Sequence, residues 1–310
     1  MSTQRIVFMG TPEIASVYLK SLIDNNYNIV AVYSQPPRKQ GRGMHIQESP
    51  VQKLAKKNTI KVFTPVDFFS EISKKNLQKL QPDLIIVMGY GLKLPPNVLQ
   101  LSALGCINIH ASLLPRWRGA APIEHTLLNG DKETGITVFK LVEEMDAGPV
   151  LIKKSFLINN TINRLELINK LNEEGTKLLN FILPKIFNNQ ISFESQNKDK
   201  VTYAPKITSE MRKLNFNKDI KIVYNKIRAF APRPAAWFFF NKERIKVIKS
   251  SFLEGNFQPS IILNEQFHIG CKNGKICPEI IQREGKKPIK LEDFLRGFEF
   301  IVGTKIDAKI

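Results

Sequence analysis

The run Leu84-Ile85-Ile86-Val87-Met88, bounded by Asp83 and Gly89, constrains the fold of this chain more than any other stretch. A strand wet on one face alternates polar and apolar residues. A short unbroken apolar run belongs instead to a strand covered on both faces, as in a parallel sheet flanked by helices. Arg5-Ile-Val-Phe-Met-Gly10 and residues 29–33 read the same way, and helical spacing recurs over residues 13–25, 51–57, 71–80, 121–128 and 161–187. Thr11 and Pro12 supply an N-cap and a first-turn proline for the first of these helices. Strands alternating with helices predict an α/β fold with a Rossmann-like, doubly wound, mostly parallel sheet. The first turn, Gly10-Thr11-Pro12, lacks the Gly-x-Gly-x-x-Gly spacing of a dinucleotide site and reads as structural.

Cys106-Ile107-Asn108-Ile109-His110 puts polar chemistry on an apolar strand. Strand side chains alternate with period two, so Asn108 and His110 share a face and an amide and an imidazole project together. The run breaks at Pro115 and enters Arg116-Trp117-Arg118-Gly119, which puts the pair near the carboxyl end of its strand, where open α/β sheets carry their sites. Gly89-Tyr90-Gly91 turns the chain at the carboxyl end of the 83–88 strand, where a ligand could lie against the backbone. Asp146 follows a strand over 134–141 in an Asp-Ala-Gly-Pro turn. By residue type alone it is an ordinary turn acid, and a catalytic role stays open.

At 310 residues the chain exceeds one typical domain, which predicts two. Residues 1–188 form the α/β domain. Residues 189–207, polar and breaker-rich, read as a linker. Residues 208–310 carry a helix over 218–230 and short strands at 236–240, 244–249, 260–263, 266–269 and 276–282, spacing that suggests a small OB-like β-barrel. The net charge is +18, and residues 208–310 hold twenty Lys and Arg against eleven Asp and Glu, a local excess of +9. Such a field suits a polyanion, either nucleic acid or an anionic membrane surface, although a lysine-rich proteome would dress a surface in the same way. The polar loop 34–50 sets Arg38, Lys39 and Arg42 beside glycines, able to swing onto phosphates or simply to be solvated. Cys106, Cys271 and Cys277 are an odd number without zinc-site spacing, which favours a reducing cytoplasm. The amino terminus shows neither signal peptide nor membrane span, so a soluble, unexported protein is expected. His45, His125 and His268 read as surface or packing residues, and no metal is expected.

The segment Asn108-Ile-His110-Ala-Ser-Leu-Leu-Pro-Arg-Trp-Arg-Gly-Ala-Ala-Pro-Ile123 resembles the signature of the folate-dependent formyltransferases. The resemblance extends to Phe8-Met-Gly-Thr-Pro12, the loop from Gln35 to Gly43, Gly89-Tyr-Gly-Leu92, Thr134-Gly-Ile-Thr137, Asp146-Ala-Gly148, Ile227-Arg-Ala-Phe230, Pro234 and Trp237, nearly the whole chain. Ala111 stands where the family has glycine, Ala147 where threonine is usual, and Ala231-Pro-Arg-Pro-Ala-Ala236 replaces Asn-Pro-x-Pro.

The resemblance implies formyl transfer from 10-formyltetrahydrofolate to the α-amino group of methionine on initiator tRNA, by an enzyme of translation initiation acting as a monomer. It assigns catalysis to Asn108, His110 and Asp146. Asn108 and a protonated His110 would donate to the developing oxyanion, while Asp146 would orient the imidazole, favour its charged form and help take the amine's proton. It also implies a folate pocket lined by Gly89, Tyr90, Gly91, Leu92, Ser112, Leu113, Leu114, Pro115 and Val142. Contacts to tRNA would come from Arg38, Lys39 and Arg42 and from the basic second domain. Two alternatives remain: the same chemistry on a small amine such as an amino sugar or glycinamide ribonucleotide, and a non-catalytic nucleic-acid-binding protein on this fold.

Overall fold

The computed structural model describes residues 3–40 and 45–306. Their contacts divide into one unit of Met1–Ala120, Thr134–Phe156 and Ile168–Ala204, and a second of Ala121–Glu133, Leu157–Leu167 and Pro205–Ile310. In chain order the elements begin with β1 (Ile6–Gly10), α1 (Glu13–Asp24), β2 (Ile29–Tyr33), β3 (Arg38–Gln40), β4 (His45–Gln47), α2 (Pro50–Lys57), β5 (Val62–Phe63) and α3 (Glu71–Gln78). There follow β6 (Leu84–Met88), α4 (Pro96–Leu99), β7 (Cys106–His110), β8 (Arg118–Gly119), α5 (Pro122–Leu128), β9 (Glu133–Lys140), β10 (Val150–Leu157) and α6 (Arg164–Phe187). The remainder are β11 (Tyr203–Ala204), α7 (Ile220–Phe230), β12 (Ala236–Phe240), β13 (Glu243–Glu254), β14 (Ile269–Cys271), β15 (Gly274–Arg283), β16 (Ile289–Lys290) and α8 (Leu291–Leu295).

The first unit is built on a seven-stranded sheet of order β10-β9-β7-β6-β1-β2-β5. From β5 to β7 every pairing is parallel, while β9 runs antiparallel to β7. The mostly parallel Rossmann-like sheet expected from the apolar runs is therefore present. All five residues of β1 and of β6 are buried, and burying each aliphatic side chain contributes about 1.5–3 kcal/mol. Register pairs Val87 with Asn108, so two further steps along both strands bring Gly89 level with His110.

Local chemistry departs from expectation at several points. Pro12 is the N-cap of α1, and the Thr11 hydroxyl does not cap it but donates to the Tyr90 carbonyl at 3.0 Å. Helix α2 starts with a capping box in Ser49-Pro50-Val51-Gln52: Ser49 Oγ accepts from the Gln52 N–H at 3.1 Å, and Gln52 Oε1 accepts from the Ser49 N–H at 2.8 Å. The loop 34–50 contains the β3–β4 hairpin, with Arg38 opposite Gln47 and Gln40 opposite His45. Ile72, an apolar residue of α3, is 75% exposed.

The stretch expected as a linker is tied to the first unit as far as Ala204. Glu194 and Val150 exchange backbone hydrogen bonds of 2.7 and 2.8 Å, and β11 pairs in parallel with β8. Conversely, α5 and residues 157–167 group with the second unit, not with the 1–188 domain expected from the sequence. Within this unit Arg228 on α7, 3% exposed, donates its guanidinium to the carbonyls of Leu127 and Ile162 and to Asn225 Oδ1.

The second unit carries a five-stranded sheet of order β12-β13-β15-β14, with β16 on β15, and every pairing in it is antiparallel. Two register shifts bend β13 where it pairs with β15. The strands expected at 260–263 and 266–269 reduce to isolated bridges and β14, because Ser260 and Phe267 take left-handed φ angles of +62° and +55° that interrupt an extended run. Phe267 sits among Phe240, Phe294, Phe298 and Phe300, with ring centroids 5.0–6.1 Å away. No helix among the described residues is long and apolar enough to cross a membrane.

Candidate active site

Asn108 and His110 project from the same face of β7, as the period-two argument required. His110 is the last residue of its strand and only 6% exposed. Because β9 is antiparallel, its last residue Lys140 lies opposite Ile107, about 10 Å along the strand from His110 at 3.3 Å per residue. The Lys140 N–H is bonded to Pro149 O at 3.0 Å, and the intervening residues return along β7. This return brings Asp146 Oδ2 to 3.7 Å from His110 Nδ1.

The other imidazole nitrogen is fixed. Nε2 lies 2.8 Å from the Trp117 carbonyl. A carbonyl only accepts, so Nε2 carries a proton and donates, and Nδ1 is the nitrogen left toward Asp146 and toward a ligand. Trp117 itself is held at φ +62°, a left-handed conformation that costs a bulky L-residue about 1–2 kcal/mol. Its N–H donates to Thr202 Oγ1 at 2.9 Å, and the Arg118 N–H donates to Thr202 O at 2.9 Å, so the segment before β11 offsets that cost. Asp146, at φ +50°, accepts the Gly119 N–H on Oδ2 at 2.7 Å. Position 119 requires glycine: φ is +118° and a Cβ would lie 2.8 Å from the Ala204 carbonyl oxygen.

Asn108 Oδ1 is buried without a hydrogen-bond partner among the described residues. An unpaired buried acceptor costs about 1–3 kcal/mol, and this one lies two residues before His110 on the same strand. Phe139 meets the His110 ring edge-on with centroids 6.4 Å apart, an apolar wall to the site.

The residues expected to line a pocket divide in two. Gly89, Gly91 and Leu92 follow β6, level with the end of β7, and a Cβ on Gly91, at φ +80°, would run into the Gln35 amide. Tyr90 turns its side chain into the core beside Tyr33 and Phe68, while its carbonyl accepts from Thr11 Oγ1 and Gln35 Nε2 at 3.0 Å each. Leu114 packs with Phe139 and Val150 in a buried cluster and is core. Ser112, 1% exposed, donates to the Arg116 carbonyl at 2.6 Å, and its own carbonyl accepts from Thr137 Oγ1 at 2.7 Å. Leu113 and Pro115 are partly exposed, and Val142 is 37% exposed. Arg38 and Lys39 are exposed on β3, and Arg42 lies outside the described residues. His45 is exposed, His125 Nε2 lies 3.1 Å from Pro205 O, and His268 joins a network in the second unit. Among the described residues no three His, Cys, Asp or Glu side chains converge.

Sequence reasoning did not find Thr137, Gln196 or Thr202. Thr137 was legible as a polar residue on a buried strand. Gln196 and Thr202 lie in a polar run without periodicity, and only the folded chain reveals their partners.

Residues 4–183 match the formyl transferase family, and residues 206–299 match the formyl transferase C-terminal domain. Methionyl-tRNA formyltransferase of Sinorhizobium fredii is 40% identical over 307 residues, 97% of this chain and 99% of that protein. The methionyl-tRNA formyltransferase of Rhizobium rhizogenes is 40% identical over 304 residues, 96% of each. Among solved structures, the N-formyltransferase from Helicobacter canadensis in complex with folinic acid and dTDP-3-aminofucose superimposes with a TM-score of 0.68 at 22% identity, covering 91% of this chain and 100% of that one, a likeness of fold. The chain belongs to the formyltransferase family, within its methionyl-tRNA formyltransferase branch.

Proposed function

We propose that this protein transfers a formyl group from 10-formyltetrahydrofolate to the α-amino group of methionine esterified to initiator tRNA, with Asn108, His110 and Asp146 as the catalytic residues. The observation that carries the reading is the approach of Asp146 to His110 beside the unpartnered amide oxygen of Asn108. The folate supplies the acyl carbon; the protein supplies orientation, charge stabilisation and proton transfer.

Attack of a neutral amine on a formyl carbon places negative charge on oxygen and positive charge on nitrogen. Protonated Nδ1 of His110 and the Asn108 amide N–H are the donors offered to that oxygen, each such contact contributing about 3 kcal/mol. The Trp117 carbonyl, by holding Nε2, keeps the ring from turning away. Asp146, 3.7 Å from the imidazole, would take the amine's proton directly or through one water. Collapse of the intermediate would break the bond from the formyl carbon to the folate nitrogen, so that tetrahydrofolate leaves with a proton on that nitrogen. The bond that Asp146 accepts from the Gly119 N–H holds the carboxylate on the imidazole's side of the turn.

The folate would lie against the backbone of Gly89 to Leu92, Leu113, Pro115 and Val142, while Ser112, Tyr90 and Leu114 support that wall from beneath. Arg38 and Lys39, with Arg42 nearby in the sequence, would meet the acceptor end of the tRNA. The bent β13, paired along both edges, supports reading residues 208–310 as a partly closed OB-like barrel that docks the rest of the RNA. We read the protein as a monomer. Free thiols at Cys106, Cys271 and Cys277 support a cytoplasmic location.

The deciding assay supplies radiolabelled 10-formyltetrahydrofolate with Met-tRNA, an amino sugar or glycinamide ribonucleotide. Formylmethionyl-tRNA is the expected product; label appearing only on a small amine would refute the proposal.

A further inference from the structure

One side chain holds the turn that carries Asp146. Nε2 of Gln196 donates to the Asp146 and Gly148 carbonyls at 2.8 Å each, so both protons of the amide engage the two ends of a single turn. Its Oε1 accepts from Nε and Nη2 of Arg118 at 3.1 and 2.9 Å. Arg118 is 5% exposed, and its Nη1 reaches Glu144 Oε1 at 3.1 Å.

The direction of this bridge is not arbitrary. A guanidinium has donors and no acceptor, so the oxygen of Gln196 must face Arg118 and the nitrogen must face the carbonyls. A buried charge needs such partners, which makes the Arg118 contact costly to break and the amide's orientation firm. Arg118 is also followed by Gly119, whose N–H binds the Asp146 carboxylate. The side chain and the backbone of Asp146 are thereby referred to the same short segment, which also presents the Trp117 carbonyl to His110. Asp146 sits at φ +50°, a conformation that persists where the surroundings over-determine it.

We propose that Gln196 is a positioning residue for formyl transfer: by clamping the Asp146 and Gly148 carbonyls it fixes the distance between the Asp146 carboxylate and the His110 imidazole. The proposal rests on the reading of Asp146 as the proton acceptor. Gln196 touches neither substrate; it acts through the turn. Misplacing a reacting group by about 1 Å costs on the order of a hundredfold in rate.

Two substitutions separate the halves of the bridge. Gln196→Ala removes both, whereas Gln196→Glu keeps an acceptor for Arg118 and removes the donors to the carbonyls. With full-length protein and both substrates saturating, kcat should fall by about ten- to a hundredfold in each variant. KM for the formyl donor and for Met-tRNA should stay within about twofold, and the Tm of Gln196→Glu should stay near the parent's, since the lost interaction serves chemistry and not binding. In an Asp146→Asn background, Gln196→Glu should add less than about twofold, because two residues acting through one group are not additive. Gln196→Glu carries the test where Gln196→Ala loses its fold. A parental kcat in Gln196→Glu overturns the proposal, as does a loss confined to KM or a fully additive loss on Asp146→Asn. Full activity of Asp146→Asn alone removes the acceptor role and the positioning role together, whereas an inactive Asp146→Asn beside an unimpaired Gln196→Glu removes the positioning role only.

Discussion

His110, proposed as catalytic, illustrates how much of a side chain's setting is supplied by other residues. The ring is oriented by a backbone carbonyl seven positions on, at 2.8 Å, and that carbonyl is presented by Trp117 in a left-handed conformation. The acid that faces Nδ1 is itself turned inward by the Gly119 N–H. On the proposed mechanism, removing the imidazole would delete one oxyanion donor and the neighbour of Asp146 while leaving those supports in place. His110→Ala and Asn108→Ala should therefore each lower kcat by about a hundredfold or more with little change in Met-tRNA affinity. Steady-state kinetics with a parallel filter-binding titration separates the two quantities. Full turnover by His110→Ala would remove the mechanism.

At the scale of elements, the antiparallel run of β9 decides where the acid lands. A parallel strand would have released its following turn at the carboxyl edge. Here the chain leaves opposite Ile107 and has to come back along β7, and the returning loop is what Arg118 and Gln196 fasten. The second unit contains a comparable dependence on one polar group. His268 Nδ1 faces Asn264 Nδ2 at 3.0 Å and Lys275 Nζ at 3.3 Å, and both of these groups only donate, so the nitrogen must be unprotonated. Burial, and then the positive charge of Lys275, hold the imidazole below its ordinary value of 6.5. The unfolded chain therefore binds the extra proton more readily, and the stability this network contributes is present above that value and erodes as pH falls through the depressed one. The Tm should decline more steeply below pH about 6.5 in the parent than in His268→Gln, which accepts hydrogen bonds but does not titrate there. Scanning calorimetry across that window measures the difference, and identical slopes would show that the network carries no such linkage.

For the molecule as a whole, the distribution of charge matters more than its total. Half of the +18 excess falls in residues 208–310, and cations on that scale act on a polyanion by displacing its counterions. The logarithm of Met-tRNA affinity should fall linearly with the logarithm of salt concentration, by about 0.7–0.9 for each phosphate neutralised. A family member acting on an uncharged small amine would show almost none of this. Affinity measured at four or five salt concentrations discriminates the two, and a flat line would remove the docking role of the second unit.

The sequence by itself determined the class of fold and put the polar groups of β7 on one face. Unbroken apolar runs such as Leu84 to Met88 admit only a strand buried on both faces, and period-two alternation put Asn108 and His110 together without any knowledge of their neighbours. Such information is local: it follows from the pitch of a strand and from which side chains water rejects. What the tertiary structure alone decided is relational. By residue type Asp146 was an ordinary turn acid, made a candidate only by the family resemblance, and a loop of unpredictable path brings its carboxylate to 3.7 Å from the imidazole. Thr202 and Gln196 sat in a stretch with no periodicity, since residues that serve by hydrogen-bonding to distant backbone leave no pattern along the chain. Strand direction at β9, the left-handed residues that break the run at 260–267, and the pairing of Arg118 with Gln196 all depend on groups far apart in sequence. Long-range hydrogen bonds choose among conformations that local propensity leaves nearly equal, and for that reason they become visible only when the chain has folded.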